Sequence, residues 1–302
     1  MSAASLPFPL AARTAADRAL HVAGVLAVAY LAAVSIPMTQ YAHATGHWLP
    51  FAAHAIALVL GVAIVSSTRP ALRPLRDWLP LMLGPFLYVE LRWLIEGMGR
   101  PHADAVVQRW ESAFFPAQPA ATWATNLPVR WLSEALHLAY ASYYLLVYVP
   151  PAILYVRARR ECFARTLLAL TVVYGACFVT YLVFPVDGPR FLSGPAAAPE
   201  GPVRTFVLAL LQAGSSRGTA FPSSHVAASV VASLSALSCQ PRVGVVVSVL
   251  TLGLAAATVY GGFHYAVDAL AGVAVGLVAW LVARTLWRAL STPGAQSASA
   301  AW

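Results

Sequence analysis

The sequence predicts an all-α fold, a polytopic integral membrane helix bundle, and three observations carry that expectation. Hydrophobic residues make up 60% of the 302 positions and charged residues 10%, against about 25% charged in a typical soluble domain. Apolar runs close to the ~20 residues that a helix needs to cross a bilayer recur along the chain. All 19 basic residues are arginine, and they fall mainly in short loops between those runs. The net charge of +8 could serve nucleic acid, but arginines so placed fit the positive-inside rule better. Membrane lipids, not nucleic acid, are the expected surroundings.

Spans are expected near 19–38, 48–66, 78–98, 137–156, 166–186, 223–240, 243–262 and 265–286, about eight in all by the length criterion. Arg13 and Arg18 precede the first and a polar "TQYAHATGH" follows it, unlike a cleaved signal peptide. The second ends at "STRPALRPLRDW", which carries Arg69, Arg73 and Arg76. Glu90, Arg92 and Glu96 lie within the third and are expected to form an internal ion pair. Residues 99–136 mix aromatics with charges and are expected along the interface as short amphipathic helices. The fourth span leads into "RARRECFAR", with Arg157, Arg159, Arg160 and Arg165. The fifth ends at "FPVDGPRF", and a long loop, 187–222, precedes the last three. The tail, 287–302, reads as disordered.

With both arginine clusters cytoplasmic, an even number of spans places both termini there too. Twelve of the 19 arginines then lie on that face. Loops 99–136 and 187–222 are extracytoplasmic, and Arg190, the Ser223–His225 stretch and His264 converge on the outer side.

These groups suit phosphate chemistry. In "FPSSH", Pro222 suits a first helical position, which puts Ser223, Ser224 and His225 in an opening turn whose free N–H groups attract anions. A capped helix start accounts for the serines alone, but a histidine there is disfavoured once protonated. His264 and Asp268 are four apart, so on a helix they share a face. A carboxylate on one imidazole nitrogen fixes the tautomer and frees the other nitrogen to attack. Asp268 is isolated among apolar residues, which marks it as functional by default. Arg190 follows a Gly-Pro helix break, and its guanidinium offers bidentate donors. Arg217 is either a second phosphate ligand or a lipid-headgroup contact. Phosphoryl transfer through a phosphohistidine follows: His264 attacks, His225 protonates the leaving oxygen, and Arg190, Ser223 and Ser224 balance charge. No metal or other cofactor is expected.

The stretches resemble the signatures of the type-2 phosphatidic-acid phosphatase superfamily, K-x6-R-P, P-S-G-H and S-R-x5-H-x3-D. Pro222-Ser223-Ser224-His225 matches the second with serine for glycine, and Ala257 through Asp268 matches the third with Thr258 where arginine stands. Of the first, only Pro189-Arg190 is present. These departures are similar to the branch of inositol phosphorylceramide and sphingomyelin synthases, as are His264-Tyr265 and the upstream "DAVVQRWESAFF" and "LSEALHLAYASYYLLVYVPPAILY". The resemblance implies N-terminal transmembrane helices at 1–98 and a catalytic membrane domain with a six-helix core at 99–286. It also implies a metal-independent phosphatase or phosphotransferase acting on a lipid phosphate outside the cytoplasm, in a plasma or inner membrane. The alternative is a lipid transporter or scramblase without chemistry, although transporter sites lie near the midplane.

Other features are expected to be structural. His43, His47 and His54 lack a nearby acid or cysteine, and Gly46 interrupts their helix, so a metal site is not expected. Cys162, Cys177 and Cys239 have no C-x-x-C spacing and point to neither a zinc site nor a disulfide framework.

Overall fold

The computed structural model describes residues 14–292. Within them the chain is an all-α polytopic helical bundle of thirteen α-helices. Three come first: α1 (Ala15–Thr45), α2 (Trp48–Ser66) and α3 (Arg73–Met98). The Thr14 hydroxyl caps α1 by accepting from the Asp17 N–H at 3.1 Å, and Gly46 ends it with a left-handed φ of 73°, the pairing of caps that physical chemistry favours.

The loop expected along the interface contains α4 (Asp104–Phe114) and α5 (Pro119–Asn126), and α6 (Arg130–Ala141) begins before the fourth span was expected to start. Helix α6 bends by 44° into α7 (Tyr143–Val156). Then come α8 (Arg160–Val183), two short helices α9 (Pro189–Ser193) and α10 (Pro202–Gly214), and finally α11 (Ser224–Cys239), α12 (Pro241–Tyr260) and α13 (Ala266–Ser291). The last helix outruns its expected end at 286. The remaining tail, 293–302, lies outside the described residues.

By length and composition five of these helices can cross a membrane (α1, α2, α8, α12 and α13), and the bent α6–α7 pair makes six. That is fewer than the eight expected, and the two missing have distinct reasons. Helix α3 carries Asp77, Glu90, Arg92 and Glu96. Helix α11 has only 16 residues, about 24 Å at 1.5 Å per residue, and packs among α7, α8, α12 and α13. Being enclosed by protein, it need not match lipid in length or hydropathy. Helix α8 is the central strut, packed on α1, α3, α7, α11 and α13. Outward faces of the long helices carry exposed Val59, Leu252 and Val278, as a bilayer-facing surface requires.

The two ends of the bundle differ. At one, Arg160 bridges Asp77 at 2.8 Å and Asp17 at 2.7 Å, tying together the starts of α1, α3 and α8. Arg18 donates to the Leu290 carbonyl at 2.7 Å, and Arg165 lies over the Trp287 ring. Cys162 and Cys239 are joined there by a disulfide with a Cα–Cα distance of 5.9 Å. The cysteine spacing pointed to no such bond. Its partners are 77 positions apart and meet only because α8 begins where α11 ends. Glu90 also finds an unexpected partner: His54 Nδ1 lies 3.0 Å from its Oε1, and His54 Nε2 lies 3.0 Å from the Ser35 hydroxyl. The internal pair is therefore Glu90 with His54 of α2, not with an arginine of its own helix.

Candidate active site

The opposite end gathers three loops. The turn after α8 and the segment before α11 touch through a single parallel bridge between Val186 and Thr219, in which Val186 donates to the Gly218 carbonyl and accepts from the Ala220 N–H. Gly188 turns the chain with φ 85°, and a Cβ there would stand 3.0 Å from Ala220 Cβ. Only glycine suits both the backbone and the space. Pro189 and Arg190 then open α9.

The third loop is the turn between α12 and α13. His264, 6% exposed, sits in this turn, ahead of α13. Its Nδ1 lies 2.9 Å from the Ala220 carbonyl oxygen and 3.5 Å from Asp268 Oδ2. The nearer partner is thus a backbone carbonyl, and Nδ1–H donates to it, leaving Nε2 with the lone pair. Asp268 Oδ2 instead accepts from the Tyr265 N–H at 2.8 Å, while its Oδ1 is buried without a hydrogen-bond partner. Burial, helped by the Arg190 guanidinium and opposed by the Ala220 hydrogen bond, pushes the His264 imidazole down to about 4.

Ser223, not Pro222, borders α11. It is the N-cap, with its hydroxyl accepting from the Val226 N–H at 3.4 Å, and its own N–H donates to the Asp268 carbonyl at 3.0 Å. The Ser224 N–H donates to the Tyr181 hydroxyl at 3.1 Å. His225 follows in the first turn, stacked on Tyr140 with centroids 5.2 Å apart and packed on Tyr143 at 4.3 Å. Its ring lies 6.1 Å from that of His264.

One small cavity joins these groups: Arg190, His225, His264, Tyr88, Tyr140 and Thr219 are among its lining. Arg190 is the cation there, bonded to the Ser215 hydroxyl and lying 4.4 Å over the Phe191 ring. Tyr88 and His225 also line a second cavity of about 150 Å³ with Tyr143, Tyr144, Tyr148 and Tyr174. Ser224 faces that second cavity. Arg217 is 62% exposed and paired with Asp187, and it does not line the histidine cavity. Thr258, where the resembled motif has arginine, is fully buried, with its carbonyl accepting from the Phe263 and His264 N–H groups.

His102, Asp104 and Asp187 present donor atoms within 4.8 Å of one another. Their oxygens are already engaged: Asp104 accepts from the Asp187 and Gly188 N–H groups, and Asp187 accepts from Gly218 N–H and Arg217 and contacts His102 Nδ1. A metal here would have to displace those bonds.

A family profile described as the PAP2 superfamily matches residues 106–282. The chain belongs to the PAP2 superfamily. No curated protein and no solved structure matches it. PAP2 membership makes it an integral membrane protein of lipid-phosphatase type. The PAP2 stretch opens inside α4 and ends inside α13, so it holds Arg190, His225, His264 and Asp268, while α1–α3 precede it. Sequence reasoning missed Tyr140 and Tyr143, whose three-residue spacing in "YASY" hinted at a shared helix face. It also missed the Ala220 carbonyl, which leaves no mark in a sequence.

Proposed function

We propose that this protein transfers the phosphoryl group of a lipid phosphate through a phosphohistidine on His264. The observation that carries the reading is the pairing of two imidazoles over one cavity with Arg190. His264, its Nδ1 engaged by Ala220, attacks phosphorus through Nε2, and the bond from phosphorus to the lipid oxygen breaks. That oxygen takes a proton from His225, whose protonated form the bound phosphate anion stabilises. Arg190 neutralises the equatorial oxygens. Water or a hydroxyl then gives its proton to His225 and attacks phosphorus, and the N–P bond breaks. Asp268, 3.5 Å from Nδ1, balances the charge on the phosphorylated ring. Ser223 and Ser224 line no part of that cavity, and their N–H groups go to the Asp268 carbonyl and the Tyr181 hydroxyl, so contrary to expectation they fix the start of α11 and hold His225 in place.

The missing lysine and Thr258 favour head-group transfer, of the kind catalysed by inositol phosphorylceramide synthases, over hydrolysis. The tyrosine-lined cavity beside His225 supports a lipid as the molecule bound. The arginine-rich end is cytoplasmic by the positive-inside rule, which makes the site extracytoplasmic.

The test is product analysis by mass spectrometry, with purified wild type and His264→Ala incubated with a mixed lipid extract. Free phosphate with dephosphorylated lipid identifies a phosphatase, and a new phosphorylated lipid without matching phosphate identifies a transferase. Unchanged lipids with the wild type would sink the reading, as would turnover by His264→Ala.

A further inference from the structure

We infer that α4 is a clamp that sets the spacing between Arg190 and His264, acting through the carboxylates of Asp104 and Glu111. The two acids are seven residues apart, two helical turns, and so share one face of the helix. Each accepts a pair of adjacent backbone N–H groups, one from each of two catalytic loops. Asp104 Oδ2 takes the Asp187 N–H at 2.9 Å and Oδ1 takes the Gly188 N–H at 2.9 Å, immediately before Pro189-Arg190. Glu111 Oε1 takes the Ala266 N–H at 3.0 Å and Oε2 the Val267 N–H at 2.9 Å, just after His264. Between the acids, Gln108 donates to the Tyr265 hydroxyl at 3.1 Å, and that hydroxyl donates to Asp104 Oδ1 at 3.3 Å. Asp104 is 8% and Glu111 1% exposed.

The chemistry of these bonds gives them their leverage. Hydrogen bonds to an ionised acceptor are shorter and stronger than neutral ones, and bidentate pairs fix orientation as well as distance. The Glu111 pair also satisfies two of the orphan donors at the start of α13. Loops from distant parts of the chain are thereby held against one rigid helix. The inference rests on reading the His264–Arg190 cavity as the reacting centre. For in-line transfer, a displacement of about 1 Å between the two costs roughly 10²-fold in rate. Asp104 and Glu111 line no part of that cavity, so they are positioning residues.

Glu111→Gln keeps the shape but replaces one acceptor oxygen with a donor that opposes an N–H. Expected is a fall in kcat of roughly 10²-fold with KM changed less than about threefold. Asp104→Asn should act in the same direction, and Glu111→Asp should recover part of kcat because it retains the carboxylate. Amide exchange supplies a readout that does not depend on activity. Peptides covering 187–188 and 265–267 should exchange slowly in the wild type and faster in Glu111→Gln or Asp104→Asn, with α8 unchanged. If Glu111→Gln does not fold, Glu111→Asp and Asp104→Asn carry the comparison, and the wild-type rates need no variant.

Wild-type kcat in the Gln and Asn variants would overturn the clamp. So would fast exchange of these amides in the wild type, or a loss of activity accompanied by faster exchange in α8, which marks a purely structural role. Absence of any wild-type turnover would count against the proposed reaction instead, and the exchange rates would still decide the clamp.

Discussion

In the proposed reaction His264 is the nucleophile, and its environment makes a prediction about pH. An imidazole held down to about 4 is neutral, and so nucleophilic, throughout the physiological range. The acid limb of kcat/KM attributable to His264 should therefore lie near pH 4, well below the ~6.5 of an unperturbed imidazole. Stability follows the same group. Between pH 6.5 and 4 the unfolded chain binds the proton that the folded chain refuses, so stability falls as pH drops through that window. Denaturation midpoints measured across it, for wild type and His264→Gln, check the sign: the wild type should lose more stability on acidification. The i, i+4 spacing of His264 and Asp268 was legible in the sequence, but its geometry was not. That spacing brings side chains together only when both residues are helical, and here His264 stands in the turn before α13. The backbone carbonyl of Ala220 is consequently the closer partner.

Among elements, the pairing of α11 with α13 matters most for the site. Gly272 lets these helices approach, and a Cβ there would stand 2.6 Å from the Ser223 carbonyl oxygen. That oxygen belongs to the N-cap whose N–H bonds the Asp268 carbonyl, so a displacement reaches both motifs. Alanine in a helix gains about 1 kcal/mol over glycine, whereas overpacking a tight contact costs about 1–3 kcal/mol. The obstructing atom is backbone and cannot rotate away, so the cost prevails. Gly272→Ala should lower the thermal unfolding temperature in detergent and reduce turnover, and an unchanged temperature would refute the packing argument. The sequence pattern marks α4 and α5 only as interfacial segments and places α10 within a loop. Their amphipathic composition shows that they lie at a surface, but not which backbone groups their acids cap. Glu134 illustrates this, since it accepts from the Val203 and Arg204 N–H groups at the start of α10 across nearly 70 positions of sequence.

For the whole molecule the open quantity is orientation. The arginine-rich end and the histidine end lie at opposite ends of the bundle, and the proposed orientation, with the first in the cytoplasm, follows the positive-inside rule. In a Cys162→Ser/Cys239→Ser background, Ser112→Cys on α4 should react with an impermeant maleimide in intact cells, and Arg69→Cys should react only after permeabilisation. The reverse pattern would invert the topology and place the Cys162–Cys239 bond in an oxidising compartment, where disulfides persist. In the orientation proposed here, cytosolic reductants act on that pair, and thiol trapping in cells should find both cysteines reduced.

The class of fold, the apolar stretches that become helices, the two arginine clusters and the family are all legible in the chain of residues. Each of these is written in composition, in local periodicity or in a short motif. The sequence also identified the three polar stretches and predicted that they would meet, although it did so from a count of eight spans where five helices, or six spans with the bent α6–α7 pair, are long and apolar enough to cross. Which atoms meet is visible only in the packed bundle. Ala220 on His264, His54 on Glu90, Cys162 with Cys239, and Asp104 and Glu111 on two separate loops are pairings between distant segments, and several involve backbone groups that every residue possesses. Such contacts are set by how helices pack in three dimensions, and no local pattern in one chain encodes them.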